Sequence, residues 1–219
     1  MNKTTSTLLA PIFSIAVSIF IVTLAVKFTL GFRPLYYYDV NHLNIAESSG
    51  IDKNTIIKNY NILIDYTQKP SIKKLSMPDF TMSKEGEIHF VEVKKLFTNI
   101  DYLFYISTVI SAIAVFIGFK SKNFVFLKRS ATNLIVMPIL LIIPFAINFN
   151  KSFTVFHKLF FSNDYWEFDP VKDPIINVLP EDFFFHCALL ILGFIVVSCI
   201  ILFLLYRLSI KKGSTHNKA

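Results

Sequence analysis

Long apolar stretches alternate with polar segments along this chain. A helix needs about 20 mostly apolar residues to cross the roughly 30 Å of a bilayer's hydrocarbon core. Four stretches meet this requirement, and the first is too long for the core of a signal peptide and lacks a small-residue cleavage site. The pattern therefore predicts one mainly α-helical integral membrane domain over residues 1–219, with four transmembrane helices at about 8–28, 100–119, 131–148 and 183–206.

Two longer polar segments, 31–101 and 149–182, separate these helices. Residues 52–68 carry apolar side chains at helical spacing, which predicts an amphipathic helix. A second amphipathic helix is predicted around Phe153–Phe161. The stretch Phe80–Phe90 predicts a short hairpin or turn. We therefore expect the two segments to form a small cap of short helices with this hairpin.

The distribution of charge predicts the orientation in the membrane. Only 17% of the residues are charged, against roughly 25% in soluble domains, and the formal net charge is +7. Nine basic residues and no acidic ones lie before the first span, between the second and third, and after the fourth. By the positive-inside rule, both termini are cytoplasmic and the two polar segments lie outside. The positive charge faces anionic lipid, so nucleic acid is not expected as a partner.

Two of the five histidines lie in aromatic, polar surroundings within the outer segments. If the chain around His89 is helical, Glu92 lies on the same face at i+3 and could fix the imidazole tautomer. His157 lies on the apolar face of the second amphipathic helix. The non-catalytic alternatives are that the charged residues around His89 form a solvated surface and that His157 is a core residue of its helix. Histidine chemistry at an outer membrane interface is the catalytic interpretation.

Other kinds of site find little support in the sequence. A metal would require ligands such as His89, His157, Glu92 and Asp164, but no spacing typical of a zinc site is present. There is no Gly-x-Ser-x-Gly motif, phosphate loop or dinucleotide fingerprint. We therefore expect no metal and no cofactor.

Two stretches around the histidines carry long patterns of specific residues. The first is Phe80-x-x-Ser83-x-x-Gly86-x-x-His89-Phe90-x-Glu92-Val93-Lys94-x-Leu96-Phe97. The second, longer and more specific, is Phe156-His157-x-x-Phe160-Phe161-x-x-x-x-Trp166-x-Phe168-Asp169-Pro170-x-x-Asp173. Both resemble signatures of the lipoprotein intramolecular transacylases, and the four-helix layout is similar too, so that the resemblance covers nearly the whole chain. Glu92 departs from the pattern, in which Asp is more usual.

This resemblance implies a cell-membrane acyltransferase of Gram-positive bacteria. Its substrate would be a lipoprotein whose N-terminal cysteine carries an S-diacylglyceryl group, and its other partner is membrane lipid, with no obligate protein partner. The sn-2 acyl chain would move onto the α-amine of the same molecule, giving the lyso form. The active site would lie at the outer leaflet surface.

The expected site contains two catalytic histidines and several supporting groups. We expect His157 to be the general base and His89 to orient the ester or donate to an oxyanion, although the sequence does not decide which histidine has which role. Glu92 would set the tautomer of His89, and Lys94 would stabilise charge. Trp166 with Asp164 or Asp173 would shape the mouth. The acyl chain would lie along four phenylalanines, Phe153, Phe156, Phe160 and Phe161.

Two other functions stay open at this stage. A non-catalytic membrane protein that binds or senses lipoproteins would use the outer segments only as a docking surface. A metal-dependent membrane hydrolase would use the same histidines as ligands.

Overall fold

The computed structural model describes the backbone of residues 3–216 and the side chains of residues 4–136 and 147–211. All regular secondary structure in this part of the chain is helical. The α-helices are α1 (Lys3–Gly31), α2 (Arg33–His42), α3 (Ile45–Ser49), α4 (Lys53–Gln68), α5 (Lys84–Ser121), α6 (Val125–Ile147), α7 (Phe149–Phe160) and α8 (Glu181–His216), with a 3-10 turn at Pro174–Val178.

Three helices are long and apolar enough to cross a membrane within the described residues. They are Thr4–Gly31, Lys84–Ser121 and Glu181–Lys211. The predicted class, a mainly α-helical membrane protein, is confirmed. The third predicted span, 131–148, falls mostly within α6. Side chains of residues 137–146 lie outside the described part of the chain, and the total of four spans stays a prediction.

The hairpin predicted at Phe80–Phe90 is wrong, because α5 already begins at Lys84. The hydroxyl of Ser83 accepts a hydrogen bond from the amide of Gly86 at 2.9 Å, and Glu85 and Glu87 lie in the first turn. Both features stabilise a helix N-terminus, where amides lack partners and the dipole favours negative charge. With 38 residues, α5 is roughly 57 Å long at 1.5 Å per residue. Its apolar stretch begins only near Tyr102, so residues 84–100 precede the membrane-spanning part.

One compact unit contains Met1–Val26, Asp101–Ile143 and Ile191–Ala219. Small side chains in its core, such as Ala10 and Ala131, allow close approach of helices. The amide of Asn123, in the turn after α5, donates to the hydroxyls of Ser6 and Thr7, both at 2.8 Å. The turn is thereby tied to the beginning of α1.

The second compact unit contains Lys27–Ile100 and Pro144–Leu190, and it holds every predicted site residue. Its core is aromatic. The ring of Tyr36 stacks on Tyr60 with centroids 3.7 Å apart, and the Tyr36 hydroxyl donates to the carbonyl of Val178 at 2.6 Å. The amphipathic helix predicted within 52–68 is confirmed as α4, whose buried side includes Ile56 and Leu63.

Candidate active site

The two predicted catalytic histidines lie next to each other. His89 is on the second turn of α5, and His157 is on the last turn of α7. Their ring centroids are 6.1 Å apart, and only 5% of His89 and 9% of His157 is exposed. Residues 68 positions apart in the sequence therefore form one buried imidazole pair.

His157 is held by a backbone hydrogen bond and by aromatic rings. Its Nδ1 lies 2.8 Å from the carbonyl oxygen of Phe153. A carbonyl only accepts, so Nδ1 carries the proton and Nε2 has an unshared electron pair. The rings of Phe153 and Trp166 lie 4.1 and 4.6 Å from the imidazole. Burial lowers the pKa of His157, and the bond to Phe153 offsets part of that shift. The imidazole is therefore neutral at neutral pH.

His89 has a more apolar environment. The rings of Phe161 and Phe168 meet its imidazole edge-on, with centroids at 4.8 and 5.4 Å. Burial, with a smaller contribution from neighbouring His157, lowers the pKa of His89 to about 4. Its Nδ1 is buried and has no hydrogen-bond partner among the described residues. A neutral imidazole with an unsatisfied ring nitrogen is suited to bind a substrate's polar group.

Glu92 shares the face of His89, but it does not hydrogen-bond to that histidine. Its Oε1 accepts from the side-chain amide of Asn163 at 2.9 Å. The expectation that Glu92 fixes the tautomer of His89 is therefore wrong in this structure. A buried carboxylate needs a hydrogen-bond donor, and Asn163 supplies one where imidazole does not. Oε2 of Glu92 and Nε1 of Trp166 are both buried without a partner in the described part of the chain.

Asp173 supports the helix that carries His89. Its side chain is buried, with 2% exposed, and Oδ1 accepts from the amide of Ser83 at 2.7 Å. A Cβ atom on Gly86 would collide with that same oxygen and lie 3.2 Å from the ring of Phe168. A side chain one turn before His89 would therefore push the Asp173 carboxylate away from its bond to the Ser83 amide.

Lys94, expected to stabilise charge in the reaction, is engaged elsewhere. Its ammonium group donates to the carbonyls of Tyr66, Lys69 and Ile72 at 2.5, 2.9 and 2.6 Å. An ammonium has three donors, and all three are used. The residue fastens the end of α4 and the following loop, and the carbonyls leave it no donor for substrate.

The four predicted acyl-chain residues fall into two pairs. Phe153 and Phe161 pack against the histidines. Phe156 and Phe160 stack on each other at 4.7 Å and are 38% and 50% exposed. Asp164 is exposed, and none of its side-chain atoms has a hydrogen bond within the described part of the chain.

Three buried polar atoms of His89 and of residues that the sequence grouped with the histidines lack a hydrogen-bond partner among the described residues, and they differ in chemistry. Nε1 of Trp166 is a donor, Oε2 of Glu92 is an acceptor when ionised, and Nδ1 of His89 is either. Such groups suit a reaction in which an ester oxygen gains negative charge and an amine loses a proton. No three His, Cys, Asp or Glu side chains in the described residues are placed to hold a metal ion.

Sequence reasoning missed Asn163 and the helix-capping role of Asp173. Asn163 lies 71 positions after its partner Glu92, so their contact is not visible in the local sequence. Asp173 lies 90 positions from Ser83, and no local pattern connects them.

Fold and site together define a helical, membrane-integral protein with a buried pair of neutral histidines in the unit of Lys27–Ile100 and Pro144–Leu190. The family model of the lipoprotein intramolecular transacylase Lit matches residues 11–184. The chain belongs to this family, and it is therefore an acyltransferase that acts on lipoproteins.

Solved structures of a Bacillus cereus relative agree with this assignment. The membrane-integral Lit of that organism is 41% identical, with 96% of this chain and 98% of that chain covered, at a TM-score of 0.93. Two structures of the same protein have a histidine replaced by arginine or by alanine. Each is 40% identical at a TM-score of 0.88; the coverage is 97% of this chain and 95% of that chain for the first, and 96% of both for the second. Bacillus cereus is a Gram-positive bacterium, which agrees with the group of organisms that the resemblance implied. Among curated protein sequences, none matches the chain.

Proposed function

We propose that this enzyme moves the sn-2 acyl chain of an S-diacylglyceryl-cysteine lipoprotein onto the α-amine of the same cysteine. The neutral amine nitrogen attacks the ester carbonyl carbon. The new N–C bond forms, the C–O bond to the glyceryl sn-2 oxygen breaks, and one proton moves from nitrogen to that oxygen. Because nucleophile and ester belong to one substrate, no acyl-enzyme is needed, and holding the two groups together removes much of the barrier.

His157 is the general base in this proposal, and its bond to Phe153 is the observation that carries it. The bond fixes the proton on Nδ1, so that Nε2 accepts the proton of the attacking nitrogen. Nε2 then delivers the proton to the departing glyceryl oxygen. The lowered pKa of His157 keeps the base neutral, and therefore competent, throughout the neutral range.

His89 and Trp166 are the proposed donors to the ester oxygen. A neutral imidazole has one N–H, and the indole of Trp166 has another that is buried without a partner among the residues that the structure describes. Donors aimed at a developing oxyanion lower the barrier most in water-excluded surroundings. Glu92 is the proposed acceptor for an N–H of the substrate amine, through its unpaired Oε2. In this scheme, Glu92 positions the attacking amine of the substrate and does not orient His89.

We place the site at the outer leaflet surface, with four spans and both termini in the cytoplasm. The distribution of basic residues supports this orientation. An exposed apolar strip on α7 supports an interfacial position for that helix, with Val155, Phe156, Leu159 and Phe160 as its members. The acyl chain would enter past Phe156 and Phe160, while Phe153 and Phe161 hold the histidines.

Cysteine accessibility tests this topology. In a chain with Cys187 and Cys199 replaced by alanine, Ser162→Cys should react with an impermeant thiol reagent added to whole cells, and Lys120→Cys should not. Both positions are exposed, so the comparison reports the side of the membrane. Reaction of Lys120→Cys alone would invert the proposed orientation.

Purified protein and a synthetic diacylated lipopeptide test the reaction. With a heavy isotope in the sn-2 chain, mass spectrometry should find the label on the amine nitrogen. The same peptide with an acetylated amine should stay unchanged. Binding without conversion would instead support the lipoprotein-binding alternative, and chelator-sensitive release of free fatty acid would support the hydrolase.

A further inference from the structure

A cavity of about 560 Å³ lies among α1, α6 and α8 in the unit that does not contain the histidines. This volume is within the roughly 300–1,000 Å³ typical of small-molecule sites. Its lining is mixed, with Pro11, Ser14, Ile15, Val125, Lys128, Arg129, Thr132, Asn133 and Tyr206. The proposed reaction makes no use of it.

Two cations line this cavity without a counter-charge. No acidic residue is part of the lining. Lys128 and Arg129 are exposed, and neither has an ion pair with any residue that the structure describes. They belong to the beginning of α6, whose first turn has no acidic residue. A helix N-terminus disfavours cations, so an external anion would relieve both the mutual repulsion and the unfavourable dipole.

Hydrogen-bonding groups accompany the charges. The amide of Asn133 and the phenol of Tyr206 line the same cavity, and neither has a hydrogen-bond partner among the described residues. Guanidinium and ammonium groups bind phosphate oxygens strongly, and amide and phenol groups add neutral donors. The polar part of the cavity therefore suits a phosphate group.

The apolar part of the cavity continues along α1. Pro11 and Ile15 form one wall, and the face of α1 that continues from Ile15 away from the N-terminus exposes Ile15 and Ile19 to 56% and 37%. These positions are four residues apart, so they lie on one face of the helix and form an exposed strip that runs toward the middle of the proposed span. An acyl chain that leaves a headgroup in the cavity would lie along this strip, which a free phosphate ion would not use.

We propose that this cavity binds the headgroup of an anionic glycerophospholipid, with the phosphodiester on Lys128 and Arg129 and an acyl chain on the exposed strip of α1. Basic pockets between membrane helices recognise such headgroups. The site is separate from the lipoprotein site, and occupancy does not depend on the proposed reaction.

Native mass spectrometry of the purified full chain in detergent tests the proposal. The probes are dioleoylphosphatidylglycerol, dioleoylphosphatidylcholine and inorganic phosphate. We expect phosphatidylglycerol to be retained about tenfold more than phosphatidylcholine, because both carry the phosphodiester but the choline cation of phosphatidylcholine repels Lys128 and Arg129. The double variant Lys128→Gln/Arg129→Gln should lose this preference. The matched control Lys120→Gln/Lys122→Gln removes the same charge from the same connection and should keep it.

Two outcomes would overturn the site. If both double variants lose the preference for phosphatidylglycerol to the same extent, diffuse positive charge attracts the lipid and the cavity does not. Competition by inorganic phosphate at concentrations similar to those of the lipid would exclude the acyl-chain contact.

Photolabelling of the wild-type protein tests the same site and does not depend on whether the double variant folds. Phosphatidylglycerol with a diazirine in its acyl chain should label the wild-type peptide that contains residues 15–22 above all others. Equal labelling of α1 and of the exposed face of α8 would contradict the proposal.

Discussion

Nδ1 of His157 lies 2.8 Å from the carbonyl oxygen of Phe153, one turn earlier in α7. The bond turns the imidazole so that Nε2 holds the lone pair, and the rings of Phe153 and Trp166 keep it in place. Local helix geometry thus selects the tautomer, a task that enzymes often give to a carboxylate. The tautomer of the base is therefore set by a backbone carbonyl and not by a carboxylate.

Replacement of His157 by glutamine should therefore abolish proton transfer while it retains a donor toward Phe153. We expect kcat for the transfer to fall by about 10²–10⁴-fold, the usual effect of losing an acid–base group. The measurement is the initial rate with the isotope-labelled lipopeptide. Lys158→Gln changes the exposed neighbour and should retain the wild-type rate. A near-normal rate in His157→Gln would remove His157 from the base role.

The lowered pKa of His157 has a consequence for pH dependence. A peptide α-amine titrates at about 7.7–8.0, so log kcat/KM should fall with slope one below that range as the nucleophile is protonated. Slope two should appear only below pH 6.5, because the folded protein resists protonation of His157. A break to slope two at or above pH 6.5 would contradict this assignment.

Fluorescence gives an independent titration of the same group. Trp166 is the only tryptophan in the chain, and its ring stacks 4.6 Å from His157. A protonated imidazole quenches a stacked indole, so emission should decrease with a midpoint below pH 6.5. His157→Gln should show no such step.

The predictable parts of this fold are those that depend on local pattern. Apolar length was sufficient to identify α1 and α8, and spacing was sufficient for α4, because both signals lie within one element. The start of α5 was mistaken for a hairpin although Ser83, Glu85 and Glu87 are local helix-start signals, and a further stabilising contact comes from Asp173, far along the chain. The role of the aromatic run at Tyr36–Tyr38 depends on distant partners. The run lies within α2, where Pro34 occupies the first turn and Tyr36 packs on Tyr60 and Phe183.

The same distinction applies to the site. Helical spacing predicted that His89 and Glu92 share one face of a helix. The proximity of His157 to His89 was expected from the catalytic role proposed for both histidines and from the family resemblance. The partners of the charged groups were not predictable. Asn163 bonds to Glu92, and three backbone carbonyls bind Lys94. Carbonyl positions depend on where the chain turns after α4, which the sequence does not specify.

Asp173 should act on catalysis through the position of His89. Asp173→Asn keeps the size of the side chain but removes the charge that stabilises the N-terminus of α5, an effect of about 0.5–2 kcal/mol. We expect a lower kcat with an unchanged slope-two limb in the pH profile, since His157 is untouched. Glu167→Gln is the exposed control. A variant with normal kcat and lower thermal stability would show that the contact is structural only.

Lys94 should contribute to stability and not to chemistry. Lys94→Met leaves three carbonyls without their cation, and hydrogen bonds to a charged group contribute about 1.5–3 kcal/mol each. We expect a clearly lower melting temperature and a near-normal kcat for the fraction that stays folded. Lys95→Met changes the neighbouring lysine and serves as the control. Loss of kcat in folded Lys94→Met would restore the charge-stabilising role expected from the sequence.

His89 should make the fold sensitive to acid. Its pKa is about 4 in the folded protein and about 6.5 in an unfolded chain, so the unfolded state binds more protons between these values and the free energy of unfolding falls as pH decreases through that window. The stability that His89 contributes as a neutral side chain is fully present above pH 6.5 and is lost as pH approaches 4, with about 3 kcal/mol as the largest expected change. His89→Asn does not titrate, so its melting temperature should fall less than that of the wild type between pH 7 and pH 4.5. Thermal unfolding in one detergent at both pH values measures this difference. Parallel losses in the two proteins would show that His89 is protonated in the folded state as readily as in the unfolded one, and a histidine of that kind would not be a neutral donor to the ester.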